Sequence, residues 1–197
     1  MAMKKSLLIF TLAAIHLAAF SQAQLVFNND ANHLVVIDPV AASIKGVPAL
    51  GGLPAPQIGT PNDVMSFVTA QLFAGTAPDG LTLRSTITPA GRAGMPDGRF
   101  NNVVVPLNDA QGDVRMYFRV LLWETSAGGY TGALSSGTNW CGATPVFWGY
   151  LGDFAPNPLS GFASWSPEPI LLSVPEPSVL AMVGLGLTSL LLFRRRK

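Results

Sequence analysis

The stretch Val114-Arg115-Met116-Tyr117-Phe118-Arg119-Val120-Leu121-Leu122-Trp123 decides the fold class of this chain. Successive side chains of a β-strand project to opposite sides, so every second residue shares a face. The face predicted to be buried consists of Val114, Met116, Phe118, Val120 and Leu122. The opposite face begins with charged residues and ends at Trp123, which is typical of a strand that is covered at one end. The pattern therefore predicts a central β-strand.

Short apolar segments of the same kind recur through residues 24–173, and Gly and Pro interrupt every run that is long enough for a helix of ten residues. The predicted strands are Leu25–Asn28, His33–Ile37, Ser66–Phe73, Thr82–Ile87, Phe100–Val105, Val114–Trp123, Pro145–Leu151, Phe162–Trp165 and Ile170–Leu172. Strands at this spacing favour an all-β fold, a single β-sandwich of the jelly-roll-like or immunoglobulin-like kind. A closed barrel is the alternative.

Three segments rich in Gly and Pro are predicted to be loops. They are Val40–Asp63, Arg92–Asp97 and Ala155–Leu159. The first has no usable hydrophobic period, so we expect a long loop on the surface.

The N-terminus has the features of a secretory signal peptide over Met1–Ala23. Lys4 and Lys5 supply the charged start, Leu7–Phe20 supplies the apolar core, and small residues precede a predicted cleavage after Ala23. An uncleaved anchor is the alternative. The chain is therefore expected to be exported across the inner membrane.

The C-terminal residues 174–197 combine three elements. They are the motif Val174-Pro175-Glu176-Pro177-Ser178, an apolar helix Val179–Phe193 and the basic tail Arg194-Arg195-Arg196-Lys197. The prolines keep the motif extended. The fifteen residues of the helix rise about 22 Å, less than a hydrocarbon core of about 30 Å, which snorkelling of the basic tail and bilayer thinning accommodate. Because cations remain cytoplasmic, the upstream domain should lie outside.

This order of elements resembles the PEP-CTERM sorting signal of Gram-negative bacterial surface proteins. The matching residues are Pro175-Glu176-Pro177, the helix Val179–Phe193 and the cluster Arg194–Lys197. The resemblance implies recognition by an exosortase, a membrane-embedded cysteine transpeptidase that cuts near the motif. The product would be released or joined to a surface component in cells that make extracellular polysaccharide. The alternative is a membrane anchor that is never cut.

The body of the chain also resembles, loosely, a group of small β-rich proteins that carry this signal. The resemblance rests on the strand Thr69–Gly75 and on a later strand with Arg119 and Trp123. It supports the fold and implies no activity.

The charge of the exported domain differs from that of the whole chain. The formal net charge is +1, but residues 24–173 contain six cations and ten acids, about −4. A mildly acidic domain without basic runs argues against nucleic acid and anionic membrane surfaces as partners.

The sequence offers few residues for catalysis. His33 is the one histidine that remains after export, and we expect it on the surface at a strand end, which argues against a Ser-His-Asp set and against zinc. The single cysteine, Cys141, is expected to be a small buried residue, with a cross-link to another chain as the alternative. Aspartates fall mostly in turns. We predict no catalytic residues, no enzyme activity and no metal site.

Calcium is the better candidate among metals. Asn28-Asn29-Asp30 with Asn32 forms one oxygen-rich cluster. A second cluster consists of Asn101, Asn102, Asn108, Asp109 and Asp113. Neither has the spacing of a known calcium loop, so we predict no cofactor, with structural calcium as the open alternative.

Aromatic residues provide the one indication of a ligand. Seven of them crowd into 26 residues: Trp140, Phe147, Trp148, Tyr150, Phe154, Phe162 and Trp165. We expect most of them in the core, and we take Trp140 and Trp148 as candidates for stacking on sugar rings. The exposure of Tyr130 and Trp140, which flank a loop rich in Gly, Ser and Thr, is open.

These observations divide the chain into a signal peptide (1–23), an exported β domain (24–173) and a sorting signal (174–197). The favoured function is that of a cell-surface or extracellular-matrix protein without enzyme activity, sorted by an exosortase. A carbohydrate-binding module that acts on extracellular polysaccharide is the second hypothesis, and a hydrolase is the third.

Overall fold

The computed structural model describes residues 23–107, 113–151 and 156–175. The strands are β1 (Ala23–Phe27), β2 (Val35–Ile37), β3 (Val68–Gly75), β4 (Thr82–Ile87), β5 (Val103–Leu107), β6 (Val114–Glu124), β7 (Cys141–Ala143), β8 (Phe147–Leu151), β9 (Asn157–Pro158) and β10 (Ile170–Leu172). Two short α-helices, α1 (Pro39–Ile44) and α2 (Tyr130–Ser136), accompany them. Single 3-10 turns lie at Pro48–Leu50, Thr125–Ala127 and Leu159–Gly161.

The strand predicted from its alternation, now β6, is the centre of the largest sheet. One edge of β6 pairs antiparallel with β3 over eight residue pairs, and β4 extends the sheet beyond β3. The other edge pairs first with β8 and then, further along, with β7. Met116, Phe118, Val120 and Leu122 are fully buried, and Val114 is half-buried at the strand's start. The predicted faces of this strand are therefore confirmed.

Two smaller sheets complete the strand pairing of the described residues. In one, β1 runs antiparallel to β5 and parallel to β9. In the other, β10 runs parallel to β2. Inward side chains from all three sheets meet in one core, with Phe27 and Phe118 among its largest members. The all-β fold class is confirmed and the described strands do not close into a barrel. That the sheets form a single sandwich stays a prediction.

Residues Phe162–Trp165 are not a strand, contrary to the prediction. They follow a 3-10 turn, and their aromatic rings serve the core instead. Phe162 stacks on Phe118 at 5.1 Å between ring centroids, and Trp165 stacks on Phe147 at 4.7 Å. Strand β7 was not predicted, and β9 lies in the segment Ala155–Leu159 that was predicted to be a loop, because strands of two or three residues are too short to show alternation.

The segment Val40–Asp63 is not simply a surface loop, and that prediction is wrong. It contains most of α1, where Pro39 stands in the first turn and Asp38 Oδ1 accepts the backbone N–H of Ala41. Further on, Gln57 is fully buried and its side chain bonds backbone groups of the loop Arg92–Asp97 and its neighbour Arg99. The loop Arg92–Asp97 itself is confirmed.

In the part of the chain that the structure describes, no helix is both long and apolar enough to cross a membrane. The predicted helix Val179–Phe193, the basic tail and all of the signal peptide except Ala23 lie outside the described residues.

Candidate functional site

A pocket of about 310 Å³ opens where the end of α1 meets the end of β6. Its lining includes Lys45, Asp63, Phe67, Glu124 and Trp140. Trp140, a predicted sugar-binding residue, is only 2 % exposed and belongs to the core. It therefore forms a wall of the pocket and is not an open platform.

Three hydrogen-bond donors contact the Glu124 carboxylate in this pocket. Lys45 Nζ approaches Oε2 at 2.6 Å, the backbone N–H of Trp140 donates to the same oxygen, and the Ser126 hydroxyl donates to Oε1. Burial would raise the pKa of Glu124, but these donors and the Lys45 charge together hold it below its ordinary value. Glu124 is thus an ionised acceptor at neutral pH.

The second carboxyl of the pocket is also engaged. Asp63 Oδ1 accepts the backbone N–H of Ser66 at 2.9 Å, as a turn aspartate does. A glycosidase needs one carboxyl that is kept protonated as an acid. Glu124, held ionised by its ion pair, does not supply that acid, so the bonding of this pocket favours a structural role.

A second feature is the exposed face of the sheet at the β6–β8 edge. We call Arg115, Tyr117, Trp148 and Tyr150 the aromatic–arginine face. Tyr150 lies directly opposite Arg115, and Trp148 directly opposite Tyr117. Trp148 is 37 % exposed and Tyr150 is 51 % exposed, so β8 directs both rings to solvent while its other side chains are buried.

The rings of this face hold one another in place. The Arg115 guanidinium lies 4.0 Å from the Trp148 ring centroid and 5.1 Å from that of Tyr117. Trp148 and Tyr150 meet edge to face at 5.7 Å. These contacts limit the rotamers of four large side chains and so reduce the entropy that a ligand must overcome.

The backbone under Trp148 is also fixed. The Ser164 hydroxyl accepts the Trp148 backbone N–H at 2.7 Å and donates to the Trp148 carbonyl, on the edge of β8 that faces away from β6. Below it, Gly149 leaves room for the Phe162 ring, which an added Cβ would meet at 2.3 Å. The hydrogen bonds of Ser164 and the packing of Phe162 under Gly149 thus support the backbone of this face.

The opposite end of the same strand face is covered. Trp123 packs with Ala133 of α2 and with Cys141 in a small second cluster. On β6 itself, the exposed face is therefore confined to the first part of the strand, as its polar start and aromatic end predicted. Cys141 is buried and free, which confirms the predicted small buried residue, and burial raises its pKa.

The surface location expected of His33 is wrong, because its side chain is buried. Its Nδ1 lies 2.7 Å from Asp30 Oδ1, and its ring packs on Trp165 at 4.2 Å. Burial would raise the pKa of Asp30, but hydrogen bonds from His33 and from the Asn32 backbone lower it. The histidine thus connects the turn at Asp30 to Trp165 of the core.

Side-chain oxygens of the first cluster considered for calcium are bonded within the protein. Asn29 Oδ1 accepts the Phe100 N–H, and its amide donates to the carbonyls of His33 and Gly98. Among the described residues, no group of three or more His, Cys, Asp or Glu is placed to hold a metal ion. Asn108 and Asp109 of the second cluster lie outside the described residues. That no cofactor binds stays a prediction.

The last described residues show how the domain ends. Ser173 and Cys141 exchange two backbone hydrogen bonds of 2.7 and 2.8 Å just after β10. Val174 follows and is 5 % exposed within the core. The Pro175 carbonyl lies within 3.7 Å of the Cβ position of Gly137. The folded domain therefore extends to the first proline of the motif.

A family model for the PEP-CTERM protein-sorting motif matches residues 173–197. The chain carries a PEP-CTERM sorting motif. The match begins at Ser173, so the first residues of the matched motif are also the last described residues of the β domain. Comparison with curated proteins and comparison with solved structures find no match. The motif implies export to the cell envelope or surface and processing by an exosortase.

The structure describes some of the predicted site residues of the sorting motif and of the signal cleavage site. Val174 and Pro175 have been placed above, whereas Glu176–Ser178 and Arg194–Lys197 lie outside the described residues. Ala23 is fully buried as the first residue of β1, opposite Leu107, and cleavage after it stays a prediction.

The structure separates the two tryptophans that were predicted to bind sugar. Trp140 lines the pocket, and Trp148 lies on the exposed face. The contact of Arg115 with Trp148 was not predicted. Alternation in Arg115-x-Tyr117 and Trp148-x-Tyr150 indicates two exposed strand faces, but which residues face each other depends on the register.

Proposed function

We propose that this chain is a cell-surface or extracellular-matrix protein without enzyme activity, which an exosortase sorts and processes at its C-terminal motif. The observation that carries the proposal is the sorting motif at 173–197, attached directly to a folded β domain. In this proposal the membrane holds the precursor through Val179–Phe193 until processing. The mature domain then stays in the envelope or is shed.

The direct attachment supports this reading. Val174 is in the core, and the motif's glutamate follows one residue after Pro175. Four residues of extended chain reach about 13 Å, so the predicted membrane helix begins close to the folded domain. An enzyme that is itself embedded in the membrane is suited to cut there.

Replacement of Glu176 tests the sorting proposal in the native host. Glu176→Gln removes one charge from the motif while keeping its shape, and we expect the precursor to accumulate in the membrane fraction. Glu168→Gln is the matched control, because Glu168 is an exposed glutamate a short distance upstream. Intact mass and subcellular fraction of the mature chain are the measurements. Normal maturation of Glu176→Gln would contradict sorting by an exosortase.

Carbohydrate binding on the aromatic–arginine face is the second candidate function. The observation that favours it is the exposure of Trp148 and Tyr150 on a rigid, supported strand. Aromatic rings held open to solvent provide flat apolar surfaces on which a pyranose ring can stack. The pocket lined by Trp140 supports it less, because that indole is buried.

Trp148→Ala tests this second function through binding of the mature chain to extracellular polysaccharide from the host. We expect weaker binding. Leu171→Ala is the control, because it removes an exposed apolar side chain from another sheet. Trp140→Ala is not a useful test of binding, because it removes a core side chain and would change the stability of the fold. Equal binding of the Trp148 variant and the control would reject this function.

A further inference from the structure

We propose that the aromatic–arginine face, together with Arg119, binds an acidic polysaccharide, one whose sugar rings carry carboxylates. The proposal rests on the carbohydrate-binding function proposed above and names its ligand class. Aromatic rings supply stacking for the pyranose rings, and the two guanidinium groups supply partners for the carboxylates. The charge on this face decides between an acidic polymer and a neutral one.

The arginines of this face have no salt-bridge partner in the part of the chain that the structure describes. Arg115 and Arg119 are both exposed on β6, and neither forms a salt bridge with any described residue. Arg115 instead contacts the rings of Tyr117 and Trp148, which orient its plane without using its N–H groups for a carboxylate. Oriented guanidinium groups with free donors are suited to bidentate binding of carboxylates.

The sheet around these arginines is almost free of acidic residues. Strands β3, β4, β6 and β8 together contain three arginines and a single acid, Glu124. Glu124 lies at the far end of β6 and is paired with Lys45. Asp113 precedes β6 and is exposed, and it makes no ion pair among the described residues. Counting the described residues, the face is thus locally positive, although the sequence of the exported domain is acidic overall.

The spacing of the charges suits an extended polymer. Arg115 and Arg119 lie on the same side of one strand, about 13 Å apart along it, with Tyr117 between them. A chain of sugar rings that follows the strand meets a cation, an aromatic ring and a second cation in turn. A single small anion would engage only one guanidinium.

The position of the face argues against a membrane as its occupant. Trp148 lies opposite Tyr117, whereas Cys141, beside the exit of the chain, lies opposite Trp123. Six residues of strand separate these points, about 20 Å. The face therefore lies away from the end of the domain that leads into the predicted membrane helix. It is open to material outside the cell.

A matched pair of polymers tests the ligand class with the mature chain purified from its host. Polygalacturonate carries a carboxylate on each ring, and its methyl ester has the same rings without the charge. We expect the unmodified protein to bind the acid about ten-fold more tightly than the ester at low salt, because two exposed charge contacts of about 0.7 kcal/mol each add to about 1.4 kcal/mol. Rising salt should reduce this preference.

Two variants separate the charge from the stacking. Arg115→Gln with Arg119→Gln should abolish the preference for the acid, so that the acid and the ester bind equally, whatever the loss of the Arg115 contact does to the stacking on Trp148. Trp148→Ala should weaken both. Arg92→Gln, which removes an exposed arginine from a loop, is the control and should keep the preference. Thermal unfolding of each variant shows whether it is folded, and the acid-to-ester comparison on the unmodified protein does not depend on any variant.

The possible outcomes separate a failure of this inference from a failure of carbohydrate binding itself. Binding to neither polymer rejects carbohydrate binding and the inference together. Equal binding of acid and ester overturns the inference but leaves carbohydrate binding standing. Binding of vesicles of anionic lipid or of single-stranded DNA as tight as that of polygalacturonate overturns it in favour of a general polyanion surface. An equal loss in the Arg92 control shows that net charge alone acts, and also overturns it.

Discussion

Lys45 and Glu124, which are 79 residues apart, form an ion pair of 2.6 Å between Nζ and Oε2. Lys45 caps the end of α1, and Glu124 is the last residue of β6. Both side chains are mostly buried, and the lysine lies 5.5 Å from the Trp140 ring centroid. The pair ties the helix to the central strand across the pocket.

This ion pair should make stability depend on pH through Glu124. The pKa of Glu124 is lower in the folded chain than its ordinary value of 4.5, so its contribution is present above pH 4.5 and is lost as pH falls through the folded pKa. Glu124→Gln should cost about 1 kcal/mol at pH 7 and less at pH 3. Denaturant unfolding at the two pH values measures this difference. A cost that is the same at both would show that the charge contributes nothing.

Gly142 allows β7 to approach β10 closely, and an added side chain should separate them. A Cβ at Gly142 would meet the Leu171 carbonyl at 2.5 Å, where the neighbour is backbone and must shift. We expect Gly142→Ala to reduce the free energy of unfolding by about 1–3 kcal/mol. Gly80→Ala is the control, because its Cβ would meet nothing closer than 3.7 Å. Equal stability of the two variants would argue against the close approach of β7 and β10.

The Cys141 thiol should react slowly in the native protein. It is buried, and burial raises its pKa, so little thiolate is present at neutral pH. We expect a maleimide to label the denatured chain quickly and the native chain hardly at all, as followed by mass spectrometry. Rapid native labelling would place this part of β7 at the surface.

A disulfide should form between Cys141 and a cysteine at position 173. The two residues exchange both backbone hydrogen bonds, so their Cα atoms are about 5.5 Å apart, within the range that a disulfide spans. The exported variant Ser173→Cys should therefore lose its free thiol and gain about 2–4 kcal/mol of stability. Ser173→Ala serves as the control. A free thiol in the cysteine variant would contradict the pairing seen here.

Much of the fold follows from local patterns. The alternation in β6 predicts both its extent and its buried face, and Thr82–Ile87 and Ile170–Leu172 are strands with the predicted bounds. Phe162 and Trp165 were misassigned because an aromatic ring that fills a core from a turn has the same composition as a strand. Helix α1 was missed because six residues are too few to show a helical period.

The candidate site was only partly predictable. Both tryptophans were identified from composition, but whether each is exposed depends on distant partners. Trp140 is covered by the core and by Lys45, whereas Trp148, in contact with Arg115 and Tyr150, stays 37 % exposed. The burial of His33 is a similar case, since Trp165, which covers it, is 132 residues away.

The sequence by itself determined the fold class, the central strand and the sorting motif, because strand alternation and a linear signal are written in neighbouring residues. The tertiary structure alone decided the register that places Arg115 against Trp148, and the pairing of Ser173 with Cys141 that joins the motif to the fold. Those contacts depend on long-range strand pairing, whose energy comes from burial shared among many residues and not from any local pattern.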